Sequence, residues 1–255
     1  MDQKLNYKSN LMKVSIITVC LNSESTINRT INSVNSQNYK DIEHIFVDGG
    51  SVDKTLKNIK FNSKRNTKIL NQNKRGIYNA MNIGLKNCTG DIVVFLNSDD
   101  FLAKDYILTK VVEKFSEGYD IVFGNISYYN NKKKKLAWRS FNPGHYYKNA
   151  YKNGWHPPHP AFFIKKKSVK VFFDETNSIS SDFEFMFKHQ EVFKIKSIYL
   201  PLTCTIMAND GMSQKFLNII KGNLNLYKTV KKVYPDINIF IFFIRRFLFK
   251  FKFIL

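Results

Sequence analysis

Two adjacent acids, Asp99 and Asp100, stand in Asn97-Ser98-Asp99-Asp100, directly after the apolar run Ile92-Val93-Val94-Phe95-Leu96. Like charges side by side at the end of a buried strand are unfavourable unless a cation lies near them. Oxygen donors alone favour Mg2+ or Mn2+ over zinc, and such ions commonly bridge carboxylates to substrate phosphates. The competing role for Asp100 is helix capping ahead of Phe101. A second polar cluster, Asp48-Gly49-Gly50-Ser51-Val52-Asp53-Lys54-Thr55, follows residues 42–47. Its glycines allow φ > 0 or close approach of the backbone to a ligand. Asp48 can accept hydrogen bonds from a nucleobase or ribose, and Asp53 can cap the next helix. A plain strand-to-helix turn is the other reading of this cluster.

These clusters need elements that bring them together. Residues 14–20 (Val-Ser-Ile-Ile-Thr-Val-Cys) are short, β-branched and almost continuously apolar, as in a strand buried on both faces. Ser23 or Ser25 can cap a following helix that carries Ile27, Ile31 and Val34 on one face. Residues 42–47, 68–70 and 91–96 read as further strands, and residues 76–86 as a helix with Ile77, Ala80, Met81 and Gly84 at helical spacing. Strands alternating with helices predict a mostly parallel sheet covered on both faces. Ligands in such sheets bind beyond the carboxyl ends of the strands. Residues 18–22, 48–51 and 97–100 therefore share one rim.

The second half is less regular. Residues 121–129 and 195–200 read as strands, 182–191 and 215–232 as helices, and the lysines at 132–135 as a turn. Residues 140–160, rich in Asn, Gly, Pro, His and Tyr, read as a long loop, a feature that usually serves binding or closure. From residue 237 the chain turns to Phe, Ile, Arg and Lys. On a helix, Phe240, Ile241, Ile244, Phe247, Leu248 and Phe251 share one face, with Arg245, Arg246, Lys250 and Lys252 largely on the other. No run approaches the roughly 20 apolar residues needed to span a bilayer. A helix lying in an anionic membrane interface fits this pattern, and packing into a core or partner is the alternative.

The chain has 255 residues, 40 basic against 20 acidic, and a formal charge of +20. That excess suits phosphate-bearing substrates, anionic lipid or nucleic acid, although a bias toward Lys, Asn and Ile throughout explains it equally well. Cys20, Cys88 and Cys204 lie far apart without CxxC spacing, so neither zinc nor a disulfide framework is indicated. Residues 1–10 lack the apolar stretch of a secretory signal, and a reducing, cytoplasmic location is the expectation. No GxGxxG follows the first strand, and GxxxxGK[ST], HExxH and GxSxG are all missing.

Four segments occur in order: Val14-Ser15-Ile16-Ile17-Thr18 with Asn22; residues 47–55; Gly76-Ile77-Tyr78-Asn79-Ala80-Met81-Asn82-Ile83-Gly84; and Phe95-Leu96-Asn97-Ser98-Asp99-Asp100. Together they resemble family 2 glycosyltransferases of the GT-A fold, in particular bacterial enzymes of capsule, O-antigen and colanic-acid-type polysaccharide assembly. The resemblance is dense over residues 12–105 and looser to about 215. It implies a glycosyltransferase domain at 12–215, with a nucleotide-sugar half at 12–105 and an acceptor half at 106–215. A basic, aromatic segment at 216–255 follows it.

The resemblance implies a role for each matched position. Thr18, Cys20, Asn22 and Glu24 match the stretch that cradles the donor's base and ribose, and Asp48 the aspartate that hydrogen-bonds the base, usually uracil. Asn97, Ser98 and Asp99 match the acidic motif, with Asp99 the Mn2+ or Mg2+ ligand and Asp100 supporting it. Asn97 and Asn79 stand where an acid is common, so Asn97 is a weaker metal contact. Ser181-Asp182-Phe183-Glu184 resembles the segment of the catalytic base, Asp182 first and Glu184 as rival. His159-Pro160-Ala161-Phe162-Phe163 resembles a segment near the acceptor, with His156 close by. Gly211-Met212-Ser213 resembles a loop that closes over the donor, and Lys74 and Arg75 can meet the diphosphate. The expected partners are a nucleotide-sugar donor, UDP-linked in the favoured case, and a glycan or lipid-linked acceptor at the inner face of the membrane. No nucleic acid is expected. The alternatives are a basic nucleic-acid-binding protein and a degenerate GT-A fold that only binds.

Overall fold

Continuous β-branched runs bury best between two layers of helix. In the computed structural model, which describes residues 12–131, 133–177, 179–208 and 216–251, they form the middle of the sheet. Strand β1 (Val14–Cys20) pairs in parallel with β2 (Ile42–Asp48) on one side and β4 (Ile92–Phe95) on the other, and β3 (Asn66–Asn71) extends the sheet beyond β2. Helices α1 (Ile27–Asn35), α2 (Thr55–Asn62) and α3 (Ile77–Asn87) follow β1, β2 and β3. The loops that open these helices therefore share the rim with the turn after β4.

Alternation along β1 divides the core. Ile17 packs with Tyr78, Met81 and Leu85 of α3, while Val14 and Ile16 pack with Val34 and α4 (Ile107–Ser116). Helix α3 lies unusually close to β1, because a Cβ at Gly84 would come within 2.4 Å of an Ile17 methyl. Helix α1 buries Ile27, Ile31 and Val34 as its spacing predicts, but its start differs. Thr26 is the N-cap residue without a capping side-chain hydrogen bond, and the Ser23 carbonyl accepts the Thr26 and Ile27 N–H groups. The Ser23 hydroxyl is drawn off to Leu21 O and Ser98.

Beyond β4 the pairing changes. Strands β5 (Phe101–Leu102), β6 (Ile121–Asn130), β7 (Lys135–Phe141), β8 (Phe162–Lys165) and β9 (Ser197–Ala208) complete the order β3-β2-β1-β4-β8-β6-β9-β5, with β7 on β6. Strand β8 runs antiparallel to both neighbours, while β6 and β9 are parallel. The fold is the expected helix-flanked α/β sheet, but mixed: parallel pairing dominates its first half alone.

Part of the expected loop at 140–160 is strand, since β7 extends through Phe141. The rest is a core plug rather than an open lid, with Ala150, Tyr151 and Trp155 at most 1% exposed. The predicted helix at 182–191 divides into α5 (Ser181–Phe187) and one π turn, Lys188–Val192. Helices α6 (Phe216–Lys231) and α7 (Ile239–Phe251) pack back onto the domain.

On α7 the predicted apolar face is exposed: Phe240, Ile241, Ile244, Phe247 and Leu248 range from 48% to 75%. Phe242 is the residue turned fully inward. Arg246, expected on the solvated side, is also buried, donating to Asn223 Oδ1 at 2.8 Å and Gly154 O at 3.3 Å. Gly154, at φ +81°, permits this contact, because a Cβ there would meet the Arg246 backbone at 2.5 Å. Among the described residues no helix is long and apolar enough to cross a membrane.

Candidate active site

The rim loops are tied to one another by hydrogen bonds. Between the β1 and β2 ends, Asn22 N–H donates to Ser51 Oγ and Asn22 Oδ1 accepts from Val52 N–H, both at 2.9 Å. Asn22 reaches this position with φ 48°, a left-handed geometry that Asn tolerates. Two further bonds join the same loops: Asp53 accepts Glu24 N–H at 3.0 Å, and the Glu24 carboxylate accepts Lys54 N–H at 2.9 Å. Asp53 also accepts Thr55 N–H at 2.9 Å, from one residue ahead of Lys54, the N-cap of α2. Asp48 is spent on its own turn, accepting from the Gly50 and Ser51 N–H groups and, at 2.5 Å, from the Ser51 hydroxyl.

Thr18 and Cys20 lie beneath this surface. Thr18 is fully buried, its hydroxyl 2.9 Å from His44 Nε2, and burial pushes His44 down to about 3, so its ring is neutral. The Cys20 thiol contacts Val47 O and Asp48 Oδ1, and burial with the Asp48 charge raises it to about 12. Both residues shape the floor without exposed polar atoms of their own to offer a ligand. The positions open to solvent are Asn22 and Glu24.

The acidic loop is held from α1. Ser23 Oγ lies 2.9 Å from Ser98 Oγ, and Thr30 Oγ1 lies 3.0 Å from Ser98 O and 2.7 Å from Asp100 O. Arg29 donates to Asp99 O at 2.8 Å and to Asn131 Oδ1 at 2.9 Å, its guanidinium packed over the Phe101 and Tyr129 rings. Asp100 is 1% exposed and accepts from Ala208 N–H at 3.0 Å and Asn97 Nδ2 at 3.1 Å, which joins the loop to the end of β9. Burial and the neighbouring Asp99 charge raise the Asp100 carboxyl well above its usual range. Asn97, Ser98 and Asp99 are half-buried at the rim.

This donor set fits a hard divalent cation. Oxygen is the available ligand atom, and no group of three His, Cys, Asp or Glu converges among the described residues. The Asp99 carboxylate and the Asn97 amide oxygen leave most of an octahedral shell for phosphate and water, the usual arrangement for Mg2+ and Mn2+, while Asp100, both of whose oxygens are hydrogen-bonded beneath the rim, supports the loop.

Across the rim, the first turn of α3 meets α5. The buried Tyr78 donates its hydroxyl to Asp182 Oδ1 at 3.0 Å. Glu184 faces elsewhere, paired with Lys188 at 2.8 Å beside Val171, Phe187 and Thr229. His159 is 8% exposed and stacks on Phe95, the last residue of β4, at 5.4 Å. Its pKa is lowered by burial and pulled back by the Asp182 charge. Asn79 Nδ2 donates to Glu175 at 3.1 Å, and Lys74 lies 4.0 Å from the same carboxylate. Arg75 is exposed, and Gly211-Met212-Ser213 lies outside the described residues. Sequence reasoning assigned no role to Arg29, Thr30, the Tyr78 side chain or Glu175. Helical periodicity cannot flag a polar residue whose partner lies on a distant loop.

The site is thus a polar rim at the carboxyl ends of β1, β2 and β4 in a mixed α/β sheet, with an acid pair in the loop after β4. The profile for "Glycosyl transferase family 2" matches residues 15–175, and the chain belongs to that family. It is 36% identical over 117 residues to the GalNAc(5)-diNAcBac-PP-undecaprenol beta-1,3-glucosyltransferase of Campylobacter jejuni, covering 44% of this chain and 38% of that protein. S. aureus TarS 1–349 in complex with UDP-GlcNAc superposes with a TM-score of 0.68 at 19% identity, covering 86% of this chain and 67% of that one. The mannosyltransferase PcManGT from Pyrobaculum calidifontis, in complex with GDP-Man and Mn2+, gives 0.65 at 17%, covering 89% and 66%. Both structures share the GT-A-type fold. The matched part spans 20% to 40% of the length of the first three curated relatives.

Proposed function

We propose that this chain transfers a sugar, with inversion, from a UDP-linked donor to a hydroxyl of a glycan or lipid-linked acceptor in cell-surface polysaccharide assembly. The observation that carries the reading is that two carboxylate positions are each held in place by a neighbouring element. Asp99 lies in a loop clamped by Arg29 and Thr30, and Asp182 is oriented by Tyr78. Asn22, Glu24 and Asp48 with its turn border the donor's base and ribose over a floor made by Thr18 and Cys20. Ser98 borders the diphosphate, and Asn79 the sugar of the donor. Asp182 takes the proton of the acceptor hydroxyl as that oxygen attacks the anomeric carbon. The bond from that carbon to the donor oxygen breaks, and its electron pair leaves with the nucleoside diphosphate. A bound Mn2+ or Mg2+, held by Asp99 with Asn97 and with Asp100 supporting the loop from beneath, would neutralise charge on that leaving group.

The named acceptor of the Campylobacter relative is undecaprenol-linked, and a lipid-linked acceptor would give α7 a purpose. Its exposed apolar face, on a chain of net charge +20, suits peripheral contact with an anionic bilayer at the cytoplasmic face. In this reading residues 12–215 are the catalytic domain and 216–255 its membrane-facing extension.

The test is turnover of a nucleotide-sugar panel with Mn2+ by wild type, Asp99→Ala and Asp182→Asn. Turnover by wild type with loss in both variants supports the assignment. Donor binding without turnover would point to a fold that only binds. Tight RNA binding with neither donor binding nor turnover would overturn the proposal.

A further inference from the structure

Glu175 lies outside the roles described so far, yet its surroundings are built. Its carboxylate receives Asn79 Nδ2 on one oxygen at 3.1 Å and Asn82 Nδ2 on the other at 3.0 Å. Both amides belong to α3 and are at most 9% exposed. A carboxylate accepts and cannot donate, so it forces each asparagine to present its NH2. For Asn82 the amide oxygen is used, accepting Phe173 N–H at 2.9 Å. For Asn79 it is not: among the described residues Oδ1 is a buried acceptor without a hydrogen-bond partner.

Leaving a buried acceptor unpaired costs about 1–3 kcal/mol, and native structures rarely leave one without a reason. The location supplies the reason. Asn79 follows Tyr78 in the first turn of α3, and the Tyr78 hydroxyl holds Asp182. The Glu175 segment is latched to the same place, since Asp174 N–H donates to Ser181 Oγ at 2.6 Å, next to Asp182. The Glu175 side chain is 28% exposed and lies 4.0 Å from the Lys74 ammonium, so the cluster opens to the loop ahead of α3.

We infer that Asn79 and Glu175 form a hydroxyl-reading pair for the transferred sugar, in which Glu175 fixes the Asn79 amide so that Oδ1 accepts a hydrogen bond from a sugar hydroxyl. Glu175 is the positioning residue and Asn79 the one that touches ligand. This deepens the donor-site reading above and rests on it.

The geometry predicts an unusual set of variants. In Glu175→Gln the new NH2 meets the Asn79 NH2, and Asn79 must turn over, pairing its oxygen and showing the ligand a donor instead. In Asn79→Asp two carboxylates face each other. In the double variant Asn79→Asp with Glu175→Gln, the Gln oxygen still accepts from Asn82 while its NH2 donates to the carboxylate introduced at position 79. One oxygen at that position is then presented again.

Affinities for UDP, UDP-glucose, UDP-galactose and UDP-N-acetylglucosamine should be measured by calorimetry with Mn2+ for wild type and these three variants. Wild type binds at least one of the sugar nucleotides about tenfold tighter than UDP, the worth of one well-placed hydrogen bond. Each single variant loses that preference while its affinity for UDP is kept, and the double variant regains it. An unchanged preference in the single variants, or no regain in the double, overturns the pair. Equal affinity of wild type for UDP and all three sugar nucleotides also overturns it while leaving the nucleotide site standing. No binding of UDP by wild type would sink the wider donor-site reading.

Discussion

The Tyr78 hydroxyl donates to Asp182 across 3.0 Å, joining the first turn of α3 to the first turn of α5. The Tyr78 ring is stacked on Phe173 at 5.6 Å, so the hydroxyl is carried by a fixed side chain. Tyr78→Phe keeps the ring and removes this one bond. A hydrogen bond to a charged group contributes about 1.5–3 kcal/mol. Turnover should fall by about 10- to 100-fold with KM for the donor nearly unchanged. A rise in KM with kcat preserved would place Tyr78 in binding instead.

Arg29 is the clamp on the acidic loop. Its contacts are to the Asp99 carbonyl and to two aromatic rings, which an ammonium group cannot reproduce with the same planar geometry. Arg29→Lys should therefore behave as a loss, raising the Mn2+ concentration needed for half-maximal turnover by about tenfold, the effect of roughly 1.4 kcal/mol. Titration of activity with Mn2+ reads this directly, and an unshifted curve would show that the loop needs no clamp.

Chelation offers a coarser check on the same loop. Excess EDTA should reduce turnover by about 100-fold or more, as loss of several kcal/mol of charge stabilisation requires, and added Mn2+ should restore it. Asp99→Ala should show the same loss without rescue. Full activity in EDTA would remove the metal from the proposal.

Two buried histidines set a pH dependence of stability. Burial holds His44 down to about 3 and His189 down to about 4, both below the value near 6.5 of an unfolded chain. The folded state thus binds fewer protons between those limits, so stability is full above about pH 7 and declines as pH falls from about 6.5. Each group contributes a slope approaching about 1.4 kcal/mol per pH unit. Urea midpoints at pH 7.5 and 5.5 measure it, and His44→Gln should flatten the difference. Equal midpoints in wild type would contradict the burial of neutral rings.

Deleting the end of the chain would be a poor test of membrane contact, because Phe242 and Arg246 are built into the fold. Serine at Phe240, Ile241 and Ile244 removes exposed apolar groups, at 75%, 48% and 59% exposure. Binding to vesicles containing phosphatidylglycerol should drop by about tenfold or more, with the melting temperature held within a few degrees. Undiminished vesicle binding would assign the contact to another surface.

Much of the rim was legible because strand order and strand ends follow from local pattern. β1, β2 and β4 are marked by unbroken apolar runs, and a parallel arrangement of βα units obliges their carboxyl ends to share an edge. That alone brings Asn22, Asp48 and Asn97 to one side. The mixed pairing of β8, β6 and β9 was not legible, since an isolated apolar run does not say in which direction its neighbour runs. The split of residues 181–192 into an α and a π segment was equally hidden, since the apolar pattern runs through it without a break.

The sequence by itself determined which residue types stand at each strand end, and with them the family and the acidic loop. The tertiary structure decided which of those side chains face outward. Thr18 and Cys20 alternate inward on β1, Asp48 turns back on its own loop, and Asp100 is drawn under the rim by Ala208. It also supplied Arg29, Tyr78 and Glu175, whose partners lie 70, 104 and 96 residues away along the chain. Local propensity is a property of neighbours in sequence. A hydrogen bond depends on distance in space, which packing alone fixes.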